Sequence, residues 1–183
     1  MQWIIKKAKT ILKTLPFDVE ELDLRDAKTG SDISHPFYRL SCPDWANILA
    51  ITESGEAVLV KQSRVGPAKQ CLEIPGGMID EGEPAIEAAK RELEEETGYV
   101  SDDWTALPSI NPNPAIMSNR LHMFLARNCR NNHKRQHFPD ENESIEVVLV
   151  PVENLEAMVE KGEIDSALAA LTVYMGRKLS TKS

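Results

Sequence analysis

Nine acidic residues fall between Glu73 and Glu96 against two bases, Lys90 and Arg91, so this one window carries −7 of the chain's net charge of −8. Carboxylates at that density suit a hard divalent cation held by oxygen, whereas a nucleic-acid backbone asks for a basic surface. The densest part, KRELEEE, lies in a segment that reads as a helix over 84–97, with Pro84 suited to a first turn and Gly98 to the left-handed position past the end. Placed on a wheel of about 100° per residue, Glu92 and Glu96 fall among Ala85, Ala89 and Leu93 and not on the opposite face. A helix that carries charge only for solubility keeps its glutamates away from the apolar stripe. Glutamates four apart also repel, and a bound cation relieves both conflicts.

Several elements must position that helix. The pairs ANILAIT and AVLVKQSR, joined at Glu53–Ser54–Gly55, predict a hairpin. LEIPGGMI predicts a strand interrupted by a Pro-Gly-Gly turn, and RLHMFLARN and SIEVVLVPV predict buried strands separated by the polar loop NNHKRQHFPDENE. Helical periodicity marks NLEAMVEKG and IDSALAALTVYMGRKL near the end. Upstream, FDVEELDLR and PFYRLSC predict two strands. The first fifteen residues predict a basic amphipathic helix, with Ile4, Ala8, Ile11, Leu12 and Leu15 on one face and Lys6, Lys7, Lys9 and Lys13 on the rest.

The 183 residues are 42% apolar and 27% charged, which suits one sizeable domain with an extension. No apolar run reaches membrane-span length, and the N-terminus lacks a secretory h-region. Three scattered cysteines imply neither a disulfide framework nor a zinc knuckle, so a cytoplasmic setting is expected. His133 and His137 are four apart but in a polar loop, and are set aside as ligands.

From Gly77 to Tyr99 the segment resembles the Nudix box, G-x5-E-x7-R-E-U-x-E-E-x-G-U with U bulky and aliphatic, at every position but the last, where Tyr99 stands. The resemblance implies a Nudix-type α/β/α sandwich with mixed sheet over 45–183, plus a small N-terminal β extension over 1–44 that related hydrolases use for dimerisation. It also implies hydrolysis of a nucleoside diphosphate linked to another moiety, with Mg²⁺ or Mn²⁺. Glu92, Glu95, Glu96 and the Gly76 carbonyl would be the metal ligands, Arg91 would orient Glu95, and Glu83 would brace the loop.

Outside the box, VLVKQSR, LEIPGG and Pro114 resemble the branch of ADP-ribose pyrophosphatases and nucleoside-diphosphate-sugar hydrolases. That likeness implies Arg64 near the substrate phosphates. DENESIEV resembles the loop that supplies a late carboxylate, so Glu141 or Glu143 is the expected general base or extra metal ligand. Trp45 is a candidate for base stacking. Asn113-Pro114-Ala115 and Asn119 depart from that branch's pattern at the substrate, which admits ADP-ribose or a GDP-mannose type of sugar nucleotide. RNA 5′ ends, dinucleoside polyphosphates and oxidised nucleotides form a second substrate class, and an inactive Nudix-like binding module a third reading. RNA would need a basic track, and only the N-terminal lysines and the 130–135 stretch offer one. No nucleic-acid or membrane partner is expected, and a homodimer is.

Overall fold

The computed structural model describes residues 2–133 and 144–180; Glu141, Glu143 and His137 lie outside the described residues. The chain forms two compact units, one of 1–44 with 110–120 and one of 45–109 with 121–183.

In the first unit, β1 (Trp3–Lys13), β2 (Asp18–Asp26) and β3 (Phe37–Ser41) make an antiparallel sheet in that order. The amphipathic helix expected over the first fifteen residues is therefore replaced by a strand. Its reason lies in the neighbour: Lys7, Lys9 and Lys13 of β1 stand opposite Asp23, Glu21 and Asp18 of β2. Opposite charges across a ladder favour pairing, and Ile4, Ile5, Thr10 and Ile11 prefer the pleated surface. Register shifts between Ile5 and Lys7 and between Thr10 and Leu12 absorb a pattern that does not alternate cleanly. Residues 110–120 join this unit. Met117 bridges Leu40, the Asn119 amide donates to the Pro43 carbonyl at 3.0 Å, and the Arg120 N–H donates to Asp44 at 2.8 Å.

The second unit holds a mixed sheet. Its strands are β4 (Trp45–Thr52), β5 (Glu56–Arg64), β6 (Lys69–Glu73), β7 (Gly76–Met78), β8 (Tyr99–Val100), β9 (Asp103–Ala106), β10 (Leu121–Asn131) and β11 (Glu146–Pro151). The path runs β11-β5-β4-β10-β8, with β6 on β5, β7 on β4 and β9 on β10; the β4–β10 pair is parallel and the rest antiparallel. β8 and β9 are short pieces absent from the sequence reading. Helix α1 (Ala85–Thr97) follows β7, and α2 (Leu155–Glu160) and α3 (Ala167–Ser180) close the chain.

Alternation along β4 separates the two faces. Ile48 lies in the cluster with Ala88, Ala89 and Leu93 of α1, while Leu49 meets α3, where a Cβ added to Gly176 would come within 2.6 Å of its Cδ2. Successive strand residues point to opposite faces, so one strand anchors both helical layers. This is an α/β/α sandwich. The alanines of α1 let its backbone approach the sheet closely, which also brings its glutamates down to the strands.

Candidate active site

Helix α1 begins at Ala85 behind Pro84, and Gly98 ends it at φ 74°, its N–H bonding the Glu94 carbonyl. Between those ends the box residues face β7. Gly76 pairs with Asn47 of β4, and a Cβ on it would lie 2.3 Å from the Ala46 carbonyl oxygen. A Cβ on Gly77 would lie 2.4 Å from Glu92 Oε1. Two successive glycines thus let the chain run flush against β4 on one side and the Glu92 carboxylate on the other.

Arg91 organises the carboxylates through all five of its N–H donors. Nε and Nη2 grip the two oxygens of Glu83 at 3.0 and 2.9 Å, Nη1 reaches Glu92 at 2.8 Å and Glu95 at 2.9 Å, and Nη2 also reaches the Met78 carbonyl at 3.0 Å. The Glu83 hydrogen bonds, followed by those of Glu92 and Glu95, hold the guanidinium's pKa above its ordinary value against the opposing effect of burial. Arg91 in turn pulls Glu83 below the ordinary carboxylate value, and Glu83 also accepts the Asp80 N–H at 3.1 Å. Glu96, only 8% exposed, accepts the Gly76 N–H at 2.9 Å and lies 3.5 Å from Gln62 Nε2.

Beside the Gly-Gly strand is a cavity of about 340 Å³, lined by Trp45, Arg64, Glu73, Gly76 and Gly77 and, from the start of α3, by Leu168. That volume lies at the low end for a small-molecule site. Arg64 ends β5 and is held by Glu73, which ends β6, through Nε at 3.0 Å and Nη2 at 2.7 Å. The structure thus places Trp45, Arg64 and Gly76 at one cavity, and Glu92 and Glu96 against the strand that lines it. Asn119 belongs to the first unit, where it is 2% exposed and its amide donates to the Pro43 carbonyl. Pro114 is in the same segment and exposed.

The sequence assigns no individual role to Glu73, or to Glu94 at the variable position of the box. Glu94 is buried and accepts the Asn132 amide at 2.7 Å. That partner lies 38 residues away in the sequence, beyond the reach of any local pattern.

Among the described residues no three His, Cys, Asp or Glu side chains converge on a common point. The donor chemistry nevertheless fits Mg²⁺ or Mn²⁺: oxygen-only side chains on one helix, with the Glu92 carboxylate in a cradle that a side chain at 77 would fill.

The mixed sheet between helical layers and the carboxylate-lined helix beside it define a Nudix-type fold. The chain belongs to the NUDIX domain family, whose profile matches residues 44–170. It is 30% identical over 163 residues to an ADP-ribose pyrophosphatase of Bacillus subtilis, covering 88% of this chain and 84% of that one. It is likewise 30% identical over 166 residues to a methanol dehydrogenase activator of Bacillus methanolicus, covering 89% and 85%. A crystal structure described as an ADP compounds hydrolase superposes with a TM-score of 0.84 at 24% identity, covering 100% of this chain and 96% of that one, and so shares the fold.

Proposed function

We propose that this Nudix hydrolase cleaves the diphosphate of a nucleoside diphosphate sugar of the ADP-ribose or GDP-mannose type with Mg²⁺ or Mn²⁺. The products are a nucleoside monophosphate and a sugar phosphate. The supporting observation is the meeting of two chemistries at one strand: Glu92 and Glu96 lie against Gly77 and Gly76 on one side, and the same glycines line the cavity with Arg64 and Trp45. The similarity to an ADP-ribose pyrophosphatase supports the substrate class. The activator of Bacillus methanolicus, at equal identity, shows that similarity alone does not select it.

In this reading Arg64 binds the phosphates and Trp45 stacks on the base. Glu92, Glu95, Glu96 and the Gly76 carbonyl would hold the metal, with Glu143 as a further ligand, and Glu141 or Glu143 would accept the proton of the attacking water. A bound divalent cation neutralises the diphosphate and lowers the pKa of that water. Arg91 Nη1 holds Glu92 and Glu95, the carboxylates that would take the metal, and its two bonds to Glu83 keep the guanidinium in place. One P–O bond forms to water and one P–O bond of the anhydride breaks.

The open edge of β1 and the exposed Trp3, Ile4, Ile5 and Leu12 support a homodimer through the first unit. No helix among the described residues is long and apolar enough to cross a membrane; a cytoplasmic setting remains part of the proposal. Incubation with Mg²⁺ and a panel of ADP-ribose, GDP-mannose and UDP-glucose should release a nucleoside monophosphate from at least one. Turnover of dinucleoside polyphosphates or RNA ends with none of the three would refute the substrate class.

A further inference from the structure

Arg64 and Glu73 sit on one face of the β5–β6 hairpin. Val60 pairs with Glu73, Gln62 with Cys71 and Arg64 with Lys69, so residues 60, 62 and 64 share a face with 73, 71 and 69. The Arg64 side chain therefore runs back along the hairpin toward the cavity. Its Nε and Nη2 both end on one oxygen, Glu73 Oε2. Glu73 is largely buried, with 14% of its side chain exposed, while 44% of the Arg64 side chain is open. Both residues line the cavity. Among the described residues no hydrogen bond engages Arg64 Nη1.

An arginine gripped along one edge by a buried carboxylate keeps its other edge rigid and available. Its planar fork then meets a phosphate with little further loss of side-chain freedom. The opposing effect of burial is outweighed by the Glu73 bond and by the charges of Glu73 and Glu96, so the guanidinium stays fully cationic.

We propose that Glu73 is a positioning residue that presents the open edge of Arg64 to the anionic part of the ligand. This rests on the reading of Arg64 as a phosphate contact. A plain salt bridge is the alternative, and partly exposed ones contribute little to stability. The two differ in what they predict. A salt bridge that only braces the hairpin changes thermal stability and leaves ligand affinity alone. A positioning pair changes affinity, and only while Arg64 is present.

The test is a double-mutant cycle on the full-length protein, read by equilibrium binding of ADP with Mg²⁺ present and by steady-state turnover of ADP-ribose. Arg64→Ala should weaken ADP binding by about tenfold, the scale of a charge-assisted hydrogen bond. Glu73→Ala should weaken it by about three- to tenfold and raise KM alike, with kcat within about twofold. Glu73→Gln, which keeps an acceptor oxygen, should fall between wild type and Glu73→Ala. In the Arg64→Ala background, Glu73→Ala should have no further effect. An undiminished effect of Glu73→Ala in that background, or none in the wild-type background while Arg64→Ala still weakens binding, overturns the positioning role alone. If Arg64→Ala leaves ADP binding unchanged, the phosphate-binding reading of Arg64 fails and the inference with it.

Discussion

Arg91 is the residue on which the acidic cluster depends, because its five donors serve three glutamates and a carbonyl. A lysine offers a point charge in place of that fork. Arg91→Lys should therefore lower kcat by about ten- to a hundredfold while Mg²⁺ still activates, as measured by turnover against metal concentration. The Glu83 partner gives a pH signature. Its carboxyl is held below its ordinary value of 4.5 by Arg91, so its contribution is complete above that value and is lost as pH falls through the lower folded one. Glu83→Gln should make the midpoint of thermal unfolding less dependent on pH below about 4.5, with wild type and variant converging in acid. An unchanged acid slope would contradict the pairing. Glu92 and Glu96 could be placed beside the apolar stripe from spacing because helix geometry turns sequence separation directly into direction, whereas Glu95 was singled out only by the resemblance to the Nudix box. Glu73 could not, since a hairpin joins it to Arg64 and nothing local to either residue declares the partner.

At the scale of elements, the Gly76–Gly77 strand and α1 form one device, and the two glycines are constrained by different neighbours. The three atoms nearest a Cβ at 77 all belong to the end of the flexible Glu92 side chain, whereas the nearest at 76 is the Ala46 carbonyl oxygen of the backbone. Gly77→Ala should keep the fold and displace Glu92, lowering kcat by about a hundredfold with a Tm within a few degrees of wild type. Gly76→Ala should instead cost stability, about 1–3 kcal/mol by overpacking, seen as a clear fall in Tm. If both variants lose stability equally, the distinction fails. The bulge in β10 obeys the same local logic: Asn128 adopts φ 52° where the ladder to β4 shifts, and Asn tolerates that region better than most residues. The long strands β4, β5, β10 and β11 of the second unit were readable because their apolar runs are continuous and end in turn residues. β1 was not. Its lysines and isoleucines fit a helical wheel, and only the acidic β2 strand opposite decides for the ladder.

One unit of the chain carries the acidic helix α1 and the other an antiparallel sheet, and each has its own test. The first unit was only partly legible, because residues 110–120 return to it from far along the chain through backbone bonds that no composition shift announces. Light scattering should give twice the 20.4 kDa chain mass, and charges placed at Ile4 and Leu12 should reduce it to one chain. A wild-type protein that runs as a monomer would contradict the dimer. Titration of the protein with Mn²⁺, with free metal followed by electron paramagnetic resonance, tests whether α1 holds a divalent cation through its glutamates. Wild type should bind Mn²⁺, and a Glu92→Gln, Glu96→Gln double variant that retains its circular dichroism spectrum should bind it at least about tenfold more weakly. Equal Mn²⁺ affinity in the two proteins would contradict the account.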